Sequence, residues 1–170
     1  MATWLNSVST CSEMSMEQNE LYFVEREYEV SIERLWQAWT SAPELEMWYS
    51  PTDLSVVPGS VVTENQVGGR WAVAVDVAAH GFKAYFWGRY SEFEINKKLV
   101  HTLCYSQDQG EFLARDDNAP AHTIVIDFEE RGAKSWVRFT QFGEMPAEQA
   151  EMSRQGMLSY LDNLEKFLAK

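Results

Sequence analysis

Basic residues are scarce in this chain. Lysines and arginines number 14 against 26 acidic residues, for a formal net charge of -12. That balance argues against nucleic acid or an anionic membrane as partner and favours solubility. Cysteine is nearly missing as well. Cys11 and Cys104 form no metal or redox spacing, and one falls in an expected tail and the other in an expected strand, so no disulfide is expected. No apolar run approaches the ~20 residues of a membrane helix. The first residues lack the basic stretch followed by an apolar one that marks a secretory signal. A reducing cytoplasm is the expected location. His80, His101 and His122 are scattered without metal-ligand spacing. There is no Gly-x-Ser-x-Gly elbow and no phosphate loop, and the Gly68–Gly69 pair reads as backbone geometry. No cofactor is expected.

What is present is apolar and aromatic. Hydrophobic residues make up 45% and aromatic residues 14%, which places the chain among folded proteins. At 170 residues it is expected to form one domain with a substantial core. Its 7 tryptophans exceed what such a core requires, so some are expected in a pocket or an interface.

Residues 1–20 show no period and read as a loose extension, although Trp4, Leu5 and Val8 also fit a short docked helix. Residues 21–170 read as the domain. Leu21–Val30 has strand character. Ser31 suits the N-cap of a short helix with Ile32, Leu35, Trp36 and Trp39 on one side. A second short helix follows, with Ser41 as cap, Pro43 in its first turn and Leu45 and Trp48 on its apolar side; Pro51 ends it. Strands are then expected near Val61–Gln66 and at Arg70–Ala78, Phe82–Phe93, Leu99–Ser106, His122–Glu129 and Ser135–Phe142. Both faces of Phe82–Phe93 are aromatic, so its inward parity is open. Residues 107–120 are polar and read as a loop. Its Phe112 and Leu113 fit either a lid tip or packing on the body.

Pro146 to Lys170 reads as one long amphipathic helix. Ala150, Ser153, Met157, Tyr160, Leu161, Leu164 and Leu168 share a face at 3.6 residues per turn. Glu148, Glu151, Gln155, Asp162 and Lys166 oppose it. The first half of the apolar face is small, with Ala150, Ser153 and the edge residue Gly156, while the second half carries large side chains. A void beneath the first half is expected. Short turns join the strands into an antiparallel sheet that needs one face covered, and only this helix is long enough to cover it.

Four stretches in this order resemble the homologues of the activator of the heat-shock protein 90 ATPase. These belong to the START-like, birch-pollen-allergen-like (SRPBCC) superfamily. They are VSIERLWQAWTSAPELEMWYSP at 30–51, VGGRW at 67–71, Gly88 with Tyr90, Glu92, Leu99 and Thr102, and Gly156, Met157, Leu161 and Leu164. Met157 stands where the family commonly has Trp, and residues 106–120 exceed a plain hairpin. The resemblance implies an α+β helix-grip fold. In it a curved antiparallel sheet of about six to seven strands wraps a long C-terminal helix, two short helices follow the first strand, and a cavity lies between sheet and helix. It implies no single reaction.

Candidate ligand-binding residues are Trp48, Tyr49, Trp71, Val73, Val75, Phe86, Tyr90, His101, Leu103, Tyr105, Ser153, Met157 and Tyr160. They combine an apolar lining with a few polar groups, as small-molecule sites do. Each also fits a plain core role. His101 is the titratable group of most interest, but sequence assigns it no partner carboxylate; His80 and His122 read as surface residues. The first functional expectation is a domain binding a small apolar or aromatic molecule, with transformation of that molecule left open. A chaperone-related interaction module and a cyclase- or hydrolase-like enzyme using His101 and a tyrosine are the alternatives. A homodimer is compatible with each.

Overall fold

The computed structural model describes residues 18–170. The expected docking of Trp4, Leu5 and Val8 lies outside them, as does Cys11. The first half contains strand β1 (Asn19–Tyr28), helices α1 (Ile32–Thr40) and α2 (Ala42–Trp48), and strands β2 (Ser55–Val56), β3 (Val62–Thr63) and β4 (Arg70–Val77). After a 3-10 turn at Ala78–His80 come β5 (Phe82–Glu94), β6 (Lys98–Ser106), α3 (Gln109–Ala114), β7 (His122–Arg131), β8 (Lys134–Gly143) and α4 (Ala147–Leu168). The strands form an 8-stranded antiparallel sheet ordered β1-β8-β7-β6-β5-β4-β2, with β3 also paired to β4. The expected strand near Val61–Gln66 shrinks to Val62–Thr63. Register shifts at Glu20/Tyr22 and Tyr90/Glu92 bend the ribbon. The result is a helix-grip architecture, with a curved sheet holding α4.

Local chemistry accounts for the short helices. The Ser31 hydroxyl accepts from the Arg34 amide at 3.2 Å, capping α1. Ser41 precedes α2 without a side-chain cap bond. Arg34 reaches Glu44 at 2.6 Å, and the Trp48 indole donates to the Ala38 carbonyl at 2.8 Å, so α1 and α2 are tied as one corner. At the Gly68–Gly69 step, Gly68 adopts positive φ, and a Cβ on Gly69 would collide with the Glu64 carbonyl. The Gly68 amide donates to Tyr90 and the Tyr90 amide to Gly69. The pair shapes backbone.

Ala150, Met157, Leu161 and Leu164 of α4 are buried, while Glu148, Glu151, Gln155, Asp162 and Lys166 are exposed. Both flanks of the helix are anchored. Tyr28 donates to the Leu161 carbonyl at 3.0 Å and Arg26 meets Asp162 at 2.6 Å on the β1 side. On the other side Asn163 donates to the Trp48 carbonyl at 2.8 Å, and Ser159 accepts from the Thr52 amide at 3.0 Å.

Residues 107–120 are more than a loop. Asp108 caps α3 by accepting from the Glu111 amide, and Ser106 donates to Glu111. Phe112 is buried and stacks on Tyr85 with ring centroids 4.9 Å apart. It closes a second apolar cluster of Ala72, Ala74, Tyr85, Trp87 and Cys104. These side chains point away from α4, opposite in parity to Trp71 and Val73. Phe112 therefore packs on the body, on the convex side, while Leu113 faces solvent.

Candidate functional site

Beneath the first half of α4 lies a cavity of about 530 Å³. Small residues on the helix leave it room. Ser153 and Gly156 border it, and a Cβ added to Gly156 would meet no atom within 4 Å. Met157 and Tyr160 complete the helical wall. The sheet supplies Tyr22 from β1, Trp71 from β4, Phe86 from β5, Leu103 and Tyr105 from β6, and Phe139 and Gln141 from β8. Tyr49, just after α2, closes the deep end. Its ring packs edge-on against Tyr160 at 5.1 Å and Trp71 at 5.7 Å. The open end is bordered by exposed Tyr105, Pro120, Glu144, Pro146 and Gln149.

Of the residues singled out from sequence, Tyr49, Trp71, Phe86, Leu103, Tyr105, Ser153, Met157 and Tyr160 line this space. Trp48, Val73, Val75, Tyr90 and His101 do not. Trp48 is fully buried under α1, its ring against Trp39 at 4.8 Å. Val73 joins the main core, and Val75 packs with Val77 and Ala84 near Leu54 and Phe86. Tyr90 is turned aside by a 2.8 Å hydrogen bond with Thr63, and burial pushes its hydroxyl up to about 12. Val73 and His101 do belong to the main core beneath α4, and on β5, whose parity the sequence left open, Phe86 and Tyr90 take that side; neighbouring side chains cover Val73, Tyr90 and His101.

His101 sits behind Trp71, ring on ring at 4.3 Å. Its Nδ1 lies 2.7 Å from the Thr102 carbonyl, so that nitrogen carries the proton and donates. Nε2 is buried with no hydrogen-bond partner. Burial lowers its pKa to about 4, opposed by the Thr102 bond. Among the described residues no carboxylate hydrogen-bonds this ring, and Tyr90 meets it edge-on at 5.8 Å with its hydroxyl committed to Thr63. The arrangement is that of a neutral core histidine.

Besides Tyr49, Tyr105, Ser153 and Tyr160, the polar part of the cavity includes Tyr22, Gln141 and His122, which were not among the candidates from sequence. Tyr22 donates to Gln141 Oε1 at 2.6 Å, and Gln141 Nε2 lies 2.7 Å from His122 Nδ1. With Gln141 donating, His122 keeps its proton on Nε2. His122 was expected at the surface; it is instead half-buried, its ring filling the place a Gly143 side chain would take. Gln141 carried a signal: it continues the inward parity of Val137 and Phe139, where a polar side chain is out of place. The Tyr49 and Tyr160 hydroxyls make no hydrogen bond among the described residues. Burial pushes the Tyr22, Tyr49 and Tyr160 hydroxyls well above the ordinary phenol range, and for Tyr22 and Tyr49 the neighbouring phenols add to it. Among the described residues no cluster of side chains suits a metal ion.

The model of a family described as "Activator of Hsp90 ATPase homolog 1-like protein" matches residues 29–169. No curated protein matches the chain. Several solved structures share its fold. The AHSA1 protein from Silicibacter pomeroyi is 19% identical with a TM-score of 0.72, over 87% of this chain and 96% of that one. A protein from Chromobacterium violaceum is 20% identical with a TM-score of 0.70, over 85% and 94%. A protein from Staphylococcus epidermidis, solved by NMR, is 25% identical with a TM-score of 0.71, over 90% and 91%.

Proposed function

Given that the chain belongs to the family of Activator of Hsp90 ATPase homolog 1-like proteins, we propose that this START-like domain binds a small apolar or aromatic molecule between sheet and α4. The observation that carries the reading is the aromatic-lined cavity of about 530 Å³ beneath Ser153 and Gly156. It is large enough for a small molecule and pairs an apolar wall with few polar groups, the usual make-up of such sites. A cytoplasmic setting fits an acidic chain whose described residues include no helix long and apolar enough to cross a membrane.

The two alternatives draw less support. An interaction module would present large aromatic residues to a partner. Here Trp36, Trp39, Trp48, Trp71 and Trp87 are buried and Trp136 is half-buried, and among the described residues the exposed Phe, Tyr or Trp rings are Phe23 and Tyr105, the latter at the cavity rim. An enzyme acting through His101 would need that ring inside the cavity with a proton-transfer partner, and Trp71 stands between them.

Ser153→Phe tests the reading. The new ring enters the cavity, so the melting temperature stays within a degree or two while binding of a neutral fluorescent probe, N-phenyl-1-naphthylamine, is lost. A solid core would instead be overpacked, at about 1–3 kcal/mol. A large stability loss, with no probe binding by the parent protein, would remove the ligand-binding reading.

A further inference from the structure

The geometry points to a neutral ligand that buries a carbonyl or hydroxyl oxygen between the Tyr49 and Tyr160 hydroxyls, and to a cavity that rejects carboxylates. This rests on the cavity being a ligand site and goes beyond it by assigning the ligand's chemistry.

Two observations meet here. First, the deep end holds two phenol hydroxyls without a partner among the described residues, on rings packed 5.1 Å apart. Tyr49 is buried except toward the cavity and Tyr160 is half-buried, and both line the cavity. A ligand oxygen that accepts from these hydroxyls gains hydrogen bonds inside an apolar site, each a modest net gain. The third phenol, Tyr22, is already committed to Gln141.

Second, the lining is poor in groups that could receive an anion: among the described lining residues there is no Lys or Arg, and the Nδ1 of His122 is taken by Gln141. Glu144, at the open end, adds negative charge, and the whole chain is acidic at -12. A carboxylate drawn between the tyrosines would lose its hydration without gaining a counter-ion. An ammonium group fares little better at that depth, because Glu144 lies at the exposed rim and not beside Tyr49 and Tyr160. A neutral oxygen meets neither penalty.

Four probes of similar shape separate these cases by equilibrium dialysis: 2-acetylnaphthalene, 2-methylnaphthalene, 2-naphthoate and 2-naphthylmethylammonium. The ketone is expected to bind about tenfold tighter than either ion, the scale set by an unpaired buried charge or hydrogen-bonding group. Tyr49→Phe and Tyr160→Phe should each weaken the ketone by roughly threefold to tenfold, the scale of one hydrogen bond, and leave the hydrocarbon unchanged. Naphthoate or the ammonium binding as tightly as the ketone would overturn the inference while the ligand site stands. So would phenylalanine variants that weaken hydrocarbon and ketone alike. Failure of all four probes to bind would overturn the ligand site itself. The comparison among probes needs only the parent protein, so it holds even if a variant fails to fold.

Discussion

His101 shows how burial decides the behaviour of a residue whose type suggests chemistry. The imidazole is 1% exposed, and its pKa falls from 6.5 to about 4 chiefly by desolvation. A base that binds its proton less readily in the folded chain favours unfolding in acid. The stability it preserves is complete above about pH 6.5 and is lost as pH falls toward 4, amounting to about 3 kcal/mol across the window. Urea unfolding of the parent and of His101→Leu, near pH 7 and near pH 4.5, checks this. The parent should lose more stability over that range than the variant, because carboxylate titration is common to both. Equal losses would mean that His101 is not held neutral by the fold. At the surface the same reasoning yields a different case. Arg154 holds the Glu151 carboxyl down at about 2, with help from Gln155, but solvent screens that exposed pair and little stability follows.

At the scale of elements, α3 explains why β5 is aromatic on both faces. Phe86 and Tyr90 face the concave side, while Tyr85 and Trp87 lie under the segment that carries α3. That segment is fastened to the sheet: the Trp87 indole donates to the Asp116 carbonyl at 3.2 Å, and Arg89 meets Asp117 at 2.8 Å. A lid and a structural strap respond differently to mutation. Phe112→Ala removes a buried ring from the convex cluster and should cost about 3–5 kcal/mol. Affinity for a cavity probe should not change, since Phe112 and the cavity lie on opposite faces of the sheet. Altered probe affinity with unchanged stability would instead make this segment a gate.

At the scale of the molecule, the cavity exists only when α4 and the curved sheet are both in place. Tyr49 follows α2, Trp71 belongs to β4, and Ser153 and Tyr160 belong to α4, so any occupant contacts elements from both ends of the chain. Binding should therefore couple to global unfolding. A molecule that binds the folded state alone adds about 2.7 kcal/mol at a hundred times its Kd. Thermal melts with increasing N-phenyl-1-naphthylamine should show a continuous rise in melting temperature for the parent and none for Ser153→Phe. A rise of equal size in both proteins would place the probe outside the cavity.

Local periodicity needs only neighbours along the chain, and so it determined much here. The buried and exposed faces of α4, the Ser31 cap, the last two strands and the alternation of β4 all follow from residues within a few positions of one another. The same spacing placed small residues over what became the cavity. Tertiary structure decided what depends on distant partners. Trp48, Val73, Val75, Tyr90 and His101 have the residue types of a pocket, yet Trp71 and the packing around them separate them from it. Tyr22 and Gln141, 119 positions apart, meet only because β1 pairs with β8. Whether an inward residue touches a ligand or another side chain is a matter of packing in three dimensions, and periodicity along one strand carries no record of what stands in front of it.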